Sequence, residues 1–155
     1  MEPTPSSGRR LLLQAGAAAA AQLLVRSASA QDAAALAAAM AQFAGGQAIQ
    51  QGRVKLEIAS LVDNGNVVPM RVTVDSPMSA SDRVTEIAVF NEKNPQRDVA
   101  RFALGPRCGR ADVATRIRLA TSQKLVALAR MGDGSVWSDT VDVIVVLAAC
   151  IEGDP

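Results

Sequence analysis

The sequence predicts an all-β sandwich behind a short helix, on a chain that opens with an export signal. Three observations predict the fold. About seven short apolar runs recur at roughly 10-residue spacing, the rhythm of a sandwich. Clusters of Gly, Pro, Asn and Asp separate them, as turns require. Apolar residues make up 49% of the chain but aromatic residues only 3%, with no Tyr, so the core must be built from Val, Ile, Leu and Ala.

The N-terminus reads as an address. Ser7-Gly8-Arg9-Arg10 precedes Leu11-Leu12-Leu13-Gln14 and an Ala-rich run to Val25, and Ala28-Ser29-Ala30 follows. A charged start, an apolar middle and a small-residue end describe a secretory signal, and the pair Arg9-Arg10 marks the twin-arginine type. The apolar stretch, about 15 residues, is shorter than the roughly 20 a spanning helix needs. Cleavage between Ala30 and Gln31, export to the periplasm and no stable membrane insertion are therefore expected. Taking Arg9, Arg10 and Arg26 from 16 basic residues and Glu2 from 15 acidic ones leaves the mature chain a net charge of −1. Such a balance gives no field for nucleic acid, and the oxidising compartment permits disulfides.

The mature part follows in order. Residues 32–43 are Ala-rich with Leu36, Met40 and Phe43 at helical spacing, Asp32 as N-cap and Gly45-Gly46 as the stop. Val54, Leu56 and Ile58 alternate with Lys55 and Glu57, the mark of a half-buried strand. Asp63-Asn64-Gly65-Asn66 is a turn. Residues 67–75 form the next strand, with Met70, Val72 and Val74 on one face and Ser76-Pro77 at its end. Strands are expected at 84–90, 99–104 and 112–119, separated by Asn94-Pro95, Gly105-Pro106 and Gly109. Arg116 and Arg118 alternate with Ile117 and Leu119, so they line a solvated strand face, with a partner contact as the alternative reading. Leu125, Ala127 and Ala129 share a face of a strand at 124–130; Gly132-Asp133-Gly134 turns the chain; and 136–147 is the last run, ending in alternating valines. The organisation is a signal over 1–30, a helical lead-in over 31–52, one β-sandwich domain over 53–147 and a tail over 148–155.

The chemistry is bounded by what is missing. There is no His, which removes Ser-His-Asp and Cys-His catalysis and the commonest metal ligand. Two cysteines, Cys108 and Cys150, make no structural zinc site alone. No metal and no cofactor is expected. Trp137 reads as a core or interface residue, and Asp133-Gly134 as a hairpin turn rather than a calcium loop.

Local motifs narrow the reading. Gly52-Arg53-Val54-x-Leu56, Asp63-Asn64-Gly65-Asn66-x-Val68-Pro69 and Asp75-Ser76-Pro77-Met78 stand in the first half of the mature chain. Asn94-Pro95 with Phe102-x-Leu104-Gly105-Pro106 stands in its middle. Thr115-Arg116-Ile117-Arg118-Leu119-Ala120-Thr121-Ser122-Gln123, Ala127 and Asp133-Gly134 follow. From about residue 47 to Cys150 the chain resembles the SoxY family, the sulfur-carrier subunits of the bacterial thiosulfate-oxidising Sox system. The resemblance implies an immunoglobulin-like β-sandwich that forms a heterodimer with a second β-sandwich subunit, SoxZ. It implies that a cysteine on a mobile C-terminal arm, here Cys150, is the site of covalent sulfur attachment. A c-type cytochrome enzyme attaches thiosulfate to that cysteine, and a hydrolase then releases sulfate; the carrier itself is not the enzyme.

The tail departs from the family pattern. Where the family has Gly-Gly-Cys-Gly-Gly, this chain has Ala148-Ala149-Cys150-Ile151-Glu152. Alanine and a β-branched residue restrict the backbone more than glycine, and Glu152 and Asp154 place anions near the thiol, which disfavours a thiolate. A carrier with altered partners and a SoxY-like paralogue acting as a non-carrying binding subunit both remain open. A stand-alone enzyme is disfavoured, because no nucleophile–base pair is readable. Cys108, in the turn Gly105-Pro106-Arg107-Cys108-Gly109-Arg110, reads as an unpaired loop cysteine or as a disulfide partner of Cys150.

Overall fold

The computed structural model describes residues 30–146. The signal residues Arg9 and Arg10 and the tail residue Cys150 lie outside them. The chain divides into two compact units, Met1–Ala34 and Ala35–Pro155. Of the first, residues 30–34 are described and are helical. Asp32 therefore lies within helical residues and not at an N-cap, a correction to the expectation above.

The second unit opens with helical residues 35–44 (α1), closed by Gly45 at φ 62° and Gly46 at φ 86°. Gly45 N–H donates to the Ala41 carbonyl at 3.0 Å, the αL stop that glycine permits. Nine strands follow among the described residues: β1 Ile49–Gln51, β2 Val54–Ile58, β3 Leu61–Val62, β4 Val68–Val74, β5 Val84–Asn91, β6 Asp98–Ala103, β7 Asp112–Ile117, β8 Gln123–Met131 and β9 Val136–Val145. The seven expected runs are all strands. The two additional ones, β1 and β3, are short and pair in parallel with β9. Because β1 begins at Ile49, strand structure starts inside the segment expected to be a helical lead-in.

The strands form two sheets. One has the order β1-β9-β8-β5-β6 with β3 also on β9; the other is β2-β4-β7. The chain crosses between sheets at each step from β1 to β4, and Gly52, at φ 116°, makes the first crossing. Alternation explains the packing. Val54 and Leu56 of β2, Val68, Met70, Val72 and Val74 of β4, and Ile117 of β7 face the inter-sheet core. Ile87 and Val89 of β5 and Leu125, Ala127 and Ala129 of β8 face it from the other side. The alternate residues Ala88, Phe90, Val126 and Leu128 pack under α1, against Leu36, Phe43 and Ala44. Strands β5 and β8 are thus buried on both faces, which is why their sequences read as nearly unbroken apolar runs.

Polar side chains fix the joints. The Phe43 and Phe90 rings meet edge to face at 6.0 Å, and the Arg130 guanidinium lies 4.7 Å from the Phe43 ring centre. Arg130 also donates to the Phe43 carbonyl at the end of α1. Arg53, at the first sheet crossing, pairs with Asp82 at 2.8 Å and lies 5.7 Å from the half-buried Trp137 ring. The turn before β9 is a hairpin turn, with Gly134 at φ 88° and Asp133 accepting from Ser135 N–H at 2.8 Å. Pro69 is tolerated in the middle strand of its sheet because its nitrogen, which carries no hydrogen, faces past the end of β2, whose last residue Ile58 stands opposite Met70.

Candidate functional site

The described residues end four positions before Cys150, so what the structure gives is the platform from which the tail departs. That platform is the C-terminal end of β9. On one side β3 pairs with it: Ile144 N–H donates to the Ser60 carbonyl and Val146 N–H to the Val62 carbonyl, both at 2.8 Å. On the other side the Ser122 hydroxyl accepts from Val145 N–H at 3.0 Å and donates to the Val145 carbonyl at 3.4 Å. The last strand is therefore held on both flanks to its final residue.

The turn over residues 63–66 packs beneath this end. Leu119 N–H donates to the Gly65 carbonyl at 2.8 Å. A Cβ at Gly65 would lie 2.3 Å from the Leu119 carbonyl oxygen and 3.2 Å from the Val145 side chain, so only glycine fits. Around the platform three large apolar side chains face solvent: Leu61 at 59%, Ile144 at 56% and Val146 at 41% exposure. Leu61 and Ile144 are register partners, so they form one patch at the root of the tail.

The remaining expected site residues scatter. Ala30 and Gln31 are helical and exposed. Cys108 is a free thiol, half-buried against the inter-sheet core, with its N–H bonded to the Gly105 carbonyl at 3.0 Å. That is a structural setting in a turn. No group of His, Cys, Asp and Glu suited to a metal occurs among the described residues. No described helix is long and apolar enough to cross a membrane.

A polar cluster that the sequence did not suggest lies beside this platform, on the residues that flank Leu119 and Ser122. Asn91, fully buried, donates to the Gln96 carbonyl at 2.7 Å and accepts from Asn94 N–H at 2.9 Å. The Gln123 side chain donates to Asn94 Oδ1 at 2.7 Å and accepts from Lys93 N–H at 2.8 Å. Asn94 Nδ2 in turn donates to the Arg118 carbonyl at 2.8 Å, and Asn94 Oδ1 accepts from Ala120 N–H at 3.0 Å.

The model of the family described as "sulfur oxidation protein SoxY" matches residues 40–150. The chain belongs to the SoxY family. Among solved structures, the sulfur carrier protein SoxY from Chlorobium limicola f thiosulfatophilum is similar at 28% identity and TM-score 0.64, covering 77% of this chain and 98% of that one. The superoxide reductase (neelaredoxin) of Ignicoccus hospitalis, at 22% identity and TM-score 0.54, covers 61% of this chain and 81% of its own. A putative superoxide reductase of Thermotoga maritima, at 18% identity and TM-score 0.53, covers 67% and 90%. Those two likenesses are of fold alone. No curated protein sequence matches the chain. The SoxY match ends at residue 150, the position of the tail cysteine.

Proposed function

We propose that this SoxY-family protein is a covalent sulfur carrier of thiosulfate oxidation, not itself a catalyst, and that Cys150 holds the sulfur. The observation that carries the reading is the family match running to Cys150, a cysteine four residues past Val146, which is bonded to Val62 just beyond the end of β9. Four residues of extended chain span at most about 14 Å. A thiol so placed can leave its own fold and enter other active sites, whereas Cys108 is anchored against the core. Attachment joins the Cys150 sulfur to the outer sulfur of thiosulfate as Cys–S–S–SO3⁻. It releases the thiol proton and two electrons, the electrons going to a c-type cytochrome. Hydrolysis of the S–SO3 bond then gives sulfate and a persulfide on Cys150. A SoxZ-like β-sandwich subunit is the expected partner, and export through the Arg9-Arg10 signal with cleavage between Ala30 and Gln31 places the protein in the periplasm.

The non-glycine tail favours a second reading, a SoxY paralogue that binds partners without carrying sulfur. Intact mass of the protein incubated with thiosulfate and the partner enzymes separates the two. The carrier gains a thiosulfonate or persulfide mass that Cys150→Ser abolishes and Cys108→Ser keeps. Glycines at Ala148, Ala149, Ile151 and Glu152 should raise the loading. A wild-type thiol that stays unmodified leaves the binding subunit. N-terminal sequencing of periplasmic protein should start at Gln31.

A further inference from the structure

The two edges of the three-stranded sheet are treated differently. At the β2 edge, Asp139 of β9 accepts from Leu56 N–H at 2.7 Å, so that edge is covered by the other sheet. Among the described residues no strand lies beyond the β7 edge. Its backbone directions follow from its bonds. Ala111 C=O and Leu119 N–H point to the β4 side, bonding Val74 and Gly65. Arg118 C=O and Ala120 N–H point away, to the Asn94 side chain. By strand alternation, Ala114 and Arg116 also present their N–H and C=O groups outward. The Asn94 amide thus fills the place of a neighbouring strand at residues 118–120 and leaves the edge at 114–116 open.

This open edge borders a cleft of about 520 Å³ between β6 and β7, lined by Asp98, Val99 and Ala100 on one side and Thr115, Arg116 and Arg118 on the other. Asp98 is paired with Arg101. The Arg116 and Arg118 side chains are exposed and make no ion pair among the described residues, while Arg53, Arg71, Arg101 and Arg130 all have carboxylate partners. Two residues apart on a strand, the two arginines share a face about 7 Å apart.

We propose that the β7 edge is a docking site for an extended acidic segment of a partner protein, added as a fourth strand beside β7. Backbone groups of Ala114 and Arg116 bond the segment, and Arg116 and Arg118 meet carboxylates at its alternate positions. An open edge supplies the backbone ladder and the paired charges supply the choice of partner. The cleft is far larger than a single oxyanion needs, which favours a chain over a small anion. The site is independent of the Cys150 chemistry.

The test uses the exported chain with Cys150→Ser, so that its outcome does not depend on sulfur loading. The probe is a nine-residue peptide alternating Glu with Thr, followed by NMR titration and amide hydrogen exchange. Binding should slow exchange at Ala114 and Arg116 and weaken with salt. It should weaken about tenfold or more in Arg116→Gln/Arg118→Gln, and likewise when the peptide carries Gln for Glu. Unchanged exchange at both amides, or equal binding by the double variant, overturns the proposal. Sulfate alone displacing the peptide and reproducing its shifts also overturns it, in favour of a small-oxyanion site.

Discussion

Replacing Gly65 by Ala tests whether the platform under the tail is as closely packed as the geometry requires. Two effects oppose each other. Gly65 does not need a positive φ, so alanine would ordinarily stabilise by about 0.4–1 kcal/mol through the unfolded chain. Against this, the new Cβ would sit 2.3 Å from the Leu119 carbonyl oxygen, a backbone atom that cannot rotate away. An ordinary contact needs roughly 1 Å more room, more than the Leu119–Gly65 hydrogen bond, 2.8 Å long, can absorb. Overpacking costs about 1–3 kcal/mol and the lost bond about 0.5–1.5 kcal/mol. The net is a destabilisation of about 0.5–4 kcal/mol, or on the order of 2–15 °C in Tm for a domain of this size. Gly109 is the control: no atom would meet its Cβ within 4 Å and its φ is ordinary, so Gly109→Ala should be neutral or slightly stabilising. Thermal unfolding by circular dichroism of both variants decides it. A Gly65→Ala protein as stable as Gly109→Ala would refute the claim that this turn is wedged against β9.

Phe90→Ala removes a side chain that is 1% exposed and joins β5 to α1 through Phe43, and should cost about 3–5 kcal/mol by urea unfolding; a loss under about 1 kcal/mol would mean that α1 is not packed as described. Hydrogen bonding from Arg71 holds the Asp112 carboxyl below its ordinary value of 3.8, and the Ser135 hydroxyl and N–H hold Asp133 below the same value. A depressed carboxylate stabilises above its unfolded pKa and loses that contribution as pH falls through its folded one, so Tm should drop as pH falls below about 4, and Asp112→Asn should flatten the slope.

The elements legible in the sequence were those whose burial alternates within a single run. Strands β2, β4 and β7 each bury one face, so Val54-x-Leu56 and Met70-x-Val72-x-Val74 announce themselves. Strands β1 and β3 were not legible, because three and two residues carry no period. They are strands only by virtue of β9, a partner more than 80 positions away in sequence. The Asn91–Asn94–Gln123 cluster was hidden for another reason. Its residues are polar and read as loop, and their burial depends on the β5–β8 pairing that brings residues 91 and 125 together. Cys150 is singled out by the family resemblance rather than by spacing, since a lone cysteine has no pattern of its own.

The position of β9 decides what a tail cysteine can do. Were the last strand an edge strand, peeling it back would lengthen the tether at little cost. Here the strand lies between β8 and the β1/β3 pair, and freeing even Ile144 to Val146 would break the bonds to Ser60, Val62 and Ser122. At about 0.5–1.5 kcal/mol for each of these four bonds, two of them to Ser122, that costs roughly 2–6 kcal/mol for a gain of about 3.3 Å per residue. The sandwich therefore sets a fixed origin, and the reach of the thiol is set by the residues beyond Val146. If Cys150 carries the sulfur as proposed, the composition of residues 148–152, and not the stability of the sheet, governs its delivery. On that reading Ala148, Ala149, Ile151 and Glu152, where the resemblance implies glycines, stand in the working part of the molecule.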